Sequence, residues 1–412
     1  MSLTIDQLEF LRTPAAAELL TMDLPADPYH AVQTLRKHAT PEQAAAVATL
    51  RALRHKAAAS GRFPEALAAR LLAMDKLLQQ ASSFRLAVWK GRRLAELAGR
   101  RGATAAIDLC CGLGADAIGL ALAGLSVRGV DRDPAAVLCA AHNADAAGVA
   151  GRCAFEAADA AGVELPGDAV VHVDPDRRAG PGRSVRLAEG SPDGGFLHSL
   201  PAHTAGGAMK LSPAIDWSEA AAVPVDEFEY VSEHGVCKQL VGWWGTGRGR
   251  EDRPRRRATV VHGDFDDPQA ASIPGDEAPY APIGEAGEWL VEPDPAVIAA
   301  EAVDDLAAEV GLWRIQPGLP WLFGDRPAET PLARSFRVLA AVPGREREIA
   351  RALRRLGAGI VEVKPRGVRL DTAKLQKRLR GRGRRGLAVL WCRLGEKQRA
   401  FLCERITAPA GR

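Results

Sequence analysis

The chain has 412 residues, 47% of them hydrophobic and 25% charged, with a net charge of +3. That is long enough for two or three domains with substantial cores, and the balance excludes a disordered or fibrous chain. No apolar run reaches the roughly 18 residues that span a bilayer, and the opening MSLTIDQLEFLRT lacks a signal-peptide core, so no membrane and a cytoplasmic setting are expected. Seven cysteines, at 110, 111, 139, 153, 237, 392 and 403, form no CxxC pair. They read as reduced, mostly buried residues, with no metal site.

The net charge hides an asymmetry. Residues 331–412 carry 22 Lys and Arg against 6 Asp and Glu, a net of +16, so the preceding 330 residues carry −13. A basic end on an acidic body points to a polyanion, with nucleic acid the default partner. A solvated arginine-rich tail is the alternative.

In chain order, residues 1 to about 95 read as helices. The spacing of apolar residues predicts them over 31–36, 41–60, 64–80 and 84–97. Ser82 or Ser83 is a natural N-cap for the last, and the polar run 79–83 could also border a pocket. Next comes the most informative stretch, AAIDLCCGLGADA over 105–117. It reads as strand, tight glycine turn and helix. Gly112 and Gly114 keep side chains away from a backbone that must approach a ligand, and the helix N-terminus offers unpaired N–H groups. Asp108 closes the strand. A carboxylate there would repel a pyrophosphate but attract an ammonium, directly or through water, which argues against a dinucleotide.

The second strand, 126–130, ends at Asp131, 23 residues after Asp108. An acid at about that distance grips ribose hydroxyls in nucleotide-binding folds. Asp133 followed by Pro134 reads as a helix cap. Strand three is expected over 152–156, followed by Asp159. Strand four, 169–173, runs into Asp174, Pro175, Asp176, Arg177 and Arg178. Strand five, 208–211, leads into Lys210-Leu-Ser-Pro-Ala-Ile-Asp216. Strands over 227–232, 238–244 and 258–262 follow, the last after an arginine-rich loop, 248–257, that suits phosphate contact or is a flexible linker. Residues 266–293 read as irregular, 295–310 as an amphipathic helix, and 337–342, 345–356, 360–363 and 387–392 as a small α/β unit.

The residues 107–114, IDLCCGLG, resemble the first motif of class I S-adenosylmethionine methyltransferases, with Cys110 where many members carry Gly. The stretch 336–392 resembles the THUMP-like domain found behind some bacterial methyltransferases. Three further segments, Asp174–Arg178, Lys210–Asp216 and Glu233–Lys238, occur in this order in bacterial methyltransferases with that tail. The resemblance covers most of 70–412. It implies a Rossmann-like class I methyltransferase sheet (98–265) preceded by an N-terminal helical region (1–97). A linker and helical connector (266–330) and a small basic α/β THUMP-like domain (331–412) would follow.

The resemblance also implies S-adenosylmethionine as cofactor, held by Asp108, Cys110, Gly112, Gly114, Asp131, Arg132, Asp159 and Asp174, with Asp159 at the adenine amino group. Chemistry is expected at the carboxyl ends of the strands. Asp174 would orient or deprotonate the acceptor. Lys210 would bind a phosphate or a developing oxyanion, or be a structural lysine. Arg177 and Arg178 would hold substrate, since guanidinium suits phosphate or a stacked base. Asp216 would cap a helix. Uracil-C5 chemistry needs a cysteine near strand five, and 208–216 has none. The function implied is methylation of RNA, tRNA or rRNA. A small-molecule methyltransferase and an inactive RNA-binding protein are the alternatives.

Overall fold

The structure, a computed structural model, describes residues 3–176, 187, 190–247, 254–275 and 277–405. It divides into two compact units: Met1–His234, Lys238–Arg255 and Val261–Ala270 form the first, and Gly235–Cys237, Arg256–Val260 and Ala271–Arg412 the second. Among the described residues no helix is long and apolar enough to cross a membrane.

The N-terminal region is helical: α1 (Ile5–Leu11), α2 (Pro14–Thr21), α3 (Pro28–Leu35), α4 (Pro41–Ala59), α5 (Glu65–Ala68), α6 (Asp75–Gln80) and α7 (Phe84–Arg101). The starts follow local rules. Thr40 caps α4 with a capping box and Pro41 follows it, while Ser83 caps α7 by accepting from the Leu86 N–H.

The helix expected over 64–80 is instead two short helices separated by an extended segment. Leu71, Leu72 and Ala73 are all buried in succession, which a one-sided helix cannot achieve. The backbone groups freed there find a distant partner. Asn143 Oδ1 accepts from the Leu72 N–H at 2.8 Å, and Asn143 Nδ2 donates to the Leu72 carbonyl at 3.1 Å.

Then strands and helices alternate: β1 (Ala105–Leu109), α8 (Ala115–Leu122), β2 (Ser126–Asp131), α9 (Pro134–Ala146), β3 (Cys153–Ala157), β4 (Val170–Val173), α10 (Gly194–His203), β5 (Gly206–Leu211) and α11 (Trp217–Ala221). They are followed by β6 (Glu227–Glu233), β7 (Val236–Trp244), β8 (Arg255–Gly263) and β9 (Pro268–Gly275). The sheet order is β3-β2-β1-β4-β5-β7-β6-β8-β9. The first five strands are parallel, and β7 runs antiparallel to β5. A parallel half closed by an antiparallel strand inserted before β6 is a Rossmann-like methyltransferase sheet. Asp133 and Asp216 cap α9 and α11 as expected.

Helices α7 and α8 meet backbone to backbone. A Cβ on Gly91 would lie 2.1 Å from the Gly119 carbonyl oxygen, and one on Gly119 would lie 2.2 Å from the Ala87 oxygen. Gly91→Ala is therefore expected to destabilise by about 1–3 kcal/mol or more, as overpacking does. Gly99→Ala, on the same helix with nothing within 4 Å, should stabilise by roughly 0.5–1 kcal/mol. Urea unfolding of both variants checks the opposed signs; equal shifts would contradict the close approach.

The second unit holds β10 (Trp289–Pro293), α12 (Pro295–Ala299), α13 (Val303–Val310), β11 (Leu322–Gly324), β12 (Ala333–Pro343), α14 (Glu346–Arg355), β13 (Ala358–Arg366), α15 (Thr372–Leu379), β14 (Arg385–Leu394) and β15 (Lys397–Arg405). Its sheet order is β11-β10-β12-β15-β14-β13. Helices α14 and α15 pack Ile349, Leu353, Leu375 and Leu379 onto one face. Trp321, Phe323, Phe336 and Phe401 fill a second cluster.

Two expectations are corrected in this half. Residues 266–293 are irregular only in part: β9 and β10 lie within them, paired in the two sheets, while 277–288 between them form no helix or strand. The helix expected over 295–310 is broken at Glu301, whose φ of 59° leaves the helical region.

Candidate active site

A cleft of about 970 Å³ opens at the carboxyl ends of β1, β2, β4 and β5. Of the expected site residues, Asp108, Cys110, Gly112, Asp131, Arg132, Asp159, Asp174 and Lys210 line it. Gly114 supports it from behind, with φ 78° at the N-cap of α8, and a Cβ there would touch Ala140 at 3.0 Å. Arg177, Arg178 and residues 248–253 lie outside the described residues. The rest of the arginine-rich segment is not loop: Arg255–Arg257 begin β8, and Arg256 pairs with Glu301.

The glycine turn is tightly wound. Cys110, Gly112 and Gly114 all have positive φ, a conformation that favours glycine, so Cys110 carries backbone strain. Above Gly112 the space is open, which lets a ligand reach the backbone. No side chain caps α8, so its first N–H groups stay available to a carboxylate. Asp131 braces this turn. Its Oδ2 accepts from the Gly112 N–H at 2.9 Å and its Oδ1 from the Asp133 N–H at 3.0 Å. Burial pushes its carboxyl above the usual range, against the pull of those two N–H groups. Each oxygen keeps a second lone pair for a hydroxyl.

Asp108 differs from its expected setting. It is 0% exposed, and its Oδ1 lies 2.6 Å from His172 Nδ1 on β4. Its Oδ2 has no hydrogen-bond partner. Strand register makes Asp108 and His172 direct neighbours. His172 Nε2 lies 3.1 Å from Lys90 Nζ of α7. Facing an ammonium, Nε2 acts as the acceptor, which assigns the ring proton to Nδ1, donated to Asp108. Lys90 in turn pairs with Asp116 at 2.8 Å, and the Ser82 hydroxyl donates to Asp116 Oδ2 at 2.8 Å. This chain of buried polar groups runs beneath the cleft. Burial raises the Asp108 carboxyl. Burial also works to raise Asp116, but the Lys90 charge heads the opposing attractions that hold it well below the usual range.

At the other end, Lys210 Nζ lies 2.5 Å from Asp174 Oδ2 and 3.4 Å from the Gln80 carbonyl oxygen. Gln80 also donates to Asp176 at 3.2 Å, so α6 borders the cleft. Ser82 and Ser83 therefore split the two expected roles: Ser83 caps α7, while Ser82 bonds Asp116 at the cleft wall. Asp159 accepts from the Ala161 N–H at 3.0 Å, and Arg132 donates to Ser191 Oγ at 3.1 Å. Cys110 and Cys111 also line the cleft, and burial raises both thiols, so neither is poised as a thiolate nucleophile.

Sequence reasoning missed Lys90, His172 and Asp116. A basic residue among apolar positions of α7 was the available signal for Lys90; nothing local marks the other two. As a whole the cleft offers open glycine backbone, unpaired helix amides, a braced carboxylate on β2 and a buried acid on β1. These fit a ligand with vicinal hydroxyls, a carboxylate and cationic centres, as S-adenosylmethionine has.

Comparison with known proteins supports the same class. A family model described as THUMP domain-like matches residues 333–405, and one described as RNA cap guanine-N2 methyltransferase matches 103–171. Two S-adenosylmethionine-dependent methyltransferases of Mycobacterium tuberculosis, from strains CDC 1551 and H37Rv, are each 31% identical over 339 residues, covering 82% of this chain and 88% of theirs. A crystal structure of a Porphyromonas gingivalis W83 protein assigned to the methyltransferases superposes with a TM-score of 0.68. It is 18% identical, with 98% of each chain covered, and shares the fold. The chain belongs to the S-adenosylmethionine-dependent methyltransferases and carries a THUMP-like domain toward its C-terminus. Its cofactor is S-adenosylmethionine.

Proposed function

We propose that the protein methylates RNA, tRNA or rRNA, and that the basic domain over 331–412 binds that RNA. The observation carrying this reading is the net charge of +16 over 331–412, coinciding with the THUMP domain-like match at 333–405.

S-adenosylmethionine, when bound, supplies an activated methyl group on a sulfonium. The chain's part is alignment and removal of a proton. In this reading Asp131 accepts from the ribose hydroxyls, with Arg132 beside it. Gly112, Gly114 and Cys110 form the turn that lets the backbone approach. Asp108 presents its buried negative charge toward the amino-acid end, and Asp159 faces the adenine edge. Lys210 holds one oxygen of Asp174, leaving the other to orient the acceptor and take its proton. Arg177 and Arg178, next along the chain from Asp176, bind substrate.

The test is methyl transfer from labelled S-adenosylmethionine into RNA of a strain lacking the gene, followed by nucleoside mass spectrometry. Label is expected in one methylated nucleoside. RNA affinity should fall steeply with salt, by on the order of 10³-fold between 50 and 200 mM if about six phosphates are contacted. Label confined to small molecules, or a flat salt response, would overturn the reading.

A further inference from the structure

At the β7 side of the cleft lies a polar group that the roles above do not use. Gln239 lines the cleft and is 2% exposed, yet its Oε1 has no hydrogen-bond partner. Buried amides are normally paired, because an unmade hydrogen bond forfeits the water that was given up. Two neighbouring charges already have partners: Lys210 has Asp174, and Glu233 has Arg85 at 2.6 Å. Register pairs Lys210 with Val241, and Gln239 stands two residues before Val241. Side chains alternate along a strand, so Gln239 shares the face of the sheet that carries Lys210. The tight β6–β7 turn, with His234 and Gly235 both at positive φ, brings Glu233 and Gln239 to the same wall.

We propose that Gln239 reads the base to be methylated. A side-chain amide presents an acceptor and donors side by side, which matches a base edge carrying an exocyclic amine next to a ring nitrogen, as adenine and cytosine do. The amine donates to Oε1, and the ring nitrogen accepts from Nε2. The cofactor's own adenine is not this partner. Its ribose carboxylate, Asp131, ends β2, four strands from β7 in the sheet, or roughly 19 Å at the usual strand spacing. The proposal rests on the nucleic-acid reading above and narrows its substrate to bases whose Watson–Crick edge sets an amine beside an acceptor nitrogen, adenine and cytosine.

The test binds AMP, CMP, GMP and UMP to the full-length protein saturated with S-adenosylhomocysteine, measured by calorimetry. AMP or CMP is expected to bind at least tenfold more tightly than GMP or UMP. Gln239→Met, which keeps the volume and removes the amide with its unpaired Oε1, should fold and lose that preference, with S-adenosylhomocysteine affinity changed less than twofold. Gln239→Ala is read beside it. The proposal is overturned if the wild type shows no preference, if neither variant loses it, or if cofactor affinity falls in parallel. Methyl transfer into RNA separates the two readings. Unlabelled RNA with the preference intact removes RNA as substrate and leaves Gln239 in place. Labelled RNA with kcat and KM unchanged in Gln239→Met removes Gln239 and leaves RNA.

Discussion

Asp174→Asn is expected to lower kcat by about 10²-fold or more, the usual worth of a positioned acid–base group, while S-adenosylhomocysteine binds within about threefold of wild type. The expectation follows from where Asp174 stands. It follows the last residue of β4, its N–H bonded to the Leu109 carbonyl at 3.2 Å, and its side chain is 23% exposed to the cleft. Lys210 holds Oδ2, so the second oxygen is presented in a set direction. Asparagine keeps an acceptor for Lys210 and removes the charge that, in the proposed role, takes a proton. Alanine is the poorer probe, because it leaves a buried ammonium without its partner, a loss that costs about 3–5 kcal/mol in comparable cases. A variant with normal turnover on the labelled RNA would remove Asp174 from the chemistry. Loss of cofactor binding in parallel would move it to the cofactor instead.

The largest effect on stability is expected at Lys90. The residue is 1% exposed and serves both Asp116 and His172. Lys90→Met fills the space but strands a buried carboxylate, so a loss of about 3–5 kcal/mol is expected, a Tm drop of roughly 10 °C for a unit of this size. Lys56→Met is the control. Lys56 pairs with Asp75 at 2.5 Å, but both side chains are about half exposed, and such pairs contribute about 1 kcal/mol or less.

The pH dependence follows from Asp116. Its carboxyl is held below the usual range in the folded protein, so it stabilises wherever the unfolded carboxyl would be ionised, above about pH 4. That stabilisation is lost only as pH falls through and below this range. In Lys90→Met the stranded carboxylate is relieved by protonation. The deficit should therefore be greatest near pH 7 and shrink as pH approaches 4. Urea unfolding at the two pH values checks this; a deficit independent of pH would assign the loss to packing alone.

What was legible in the chain was local. The glycine turn, the Asp133 and Asp216 caps and the alternation of strand and helix follow from backbone rules acting over a few residues, and each stands where those rules put it. The missed β15 also had a local signal, since Gly395 marks a turn between two apolar runs. The segment 71–74 between α5 and α6 had none. Its leucines suit a helix until Asn143, 71 residues away from Leu72, supplies the backbone bonds that a helix would have made.

The glycine turn and the acids near the ends of the first two strands could be read from adjacent residues, because a turn that needs glycine and a carboxylate beside it are local patterns, and their resemblance to a known motif implied the cofactor. Packing across the sheet buries Asp108 against His172, adds Lys90 and Asp116 as its support, and leaves Gln239 at the cleft with its Oε1 unpaired. Those contacts join residues brought together by strand register and helix packing. A side chain's partner is set there by which elements share a face, a relation that no local pattern contains.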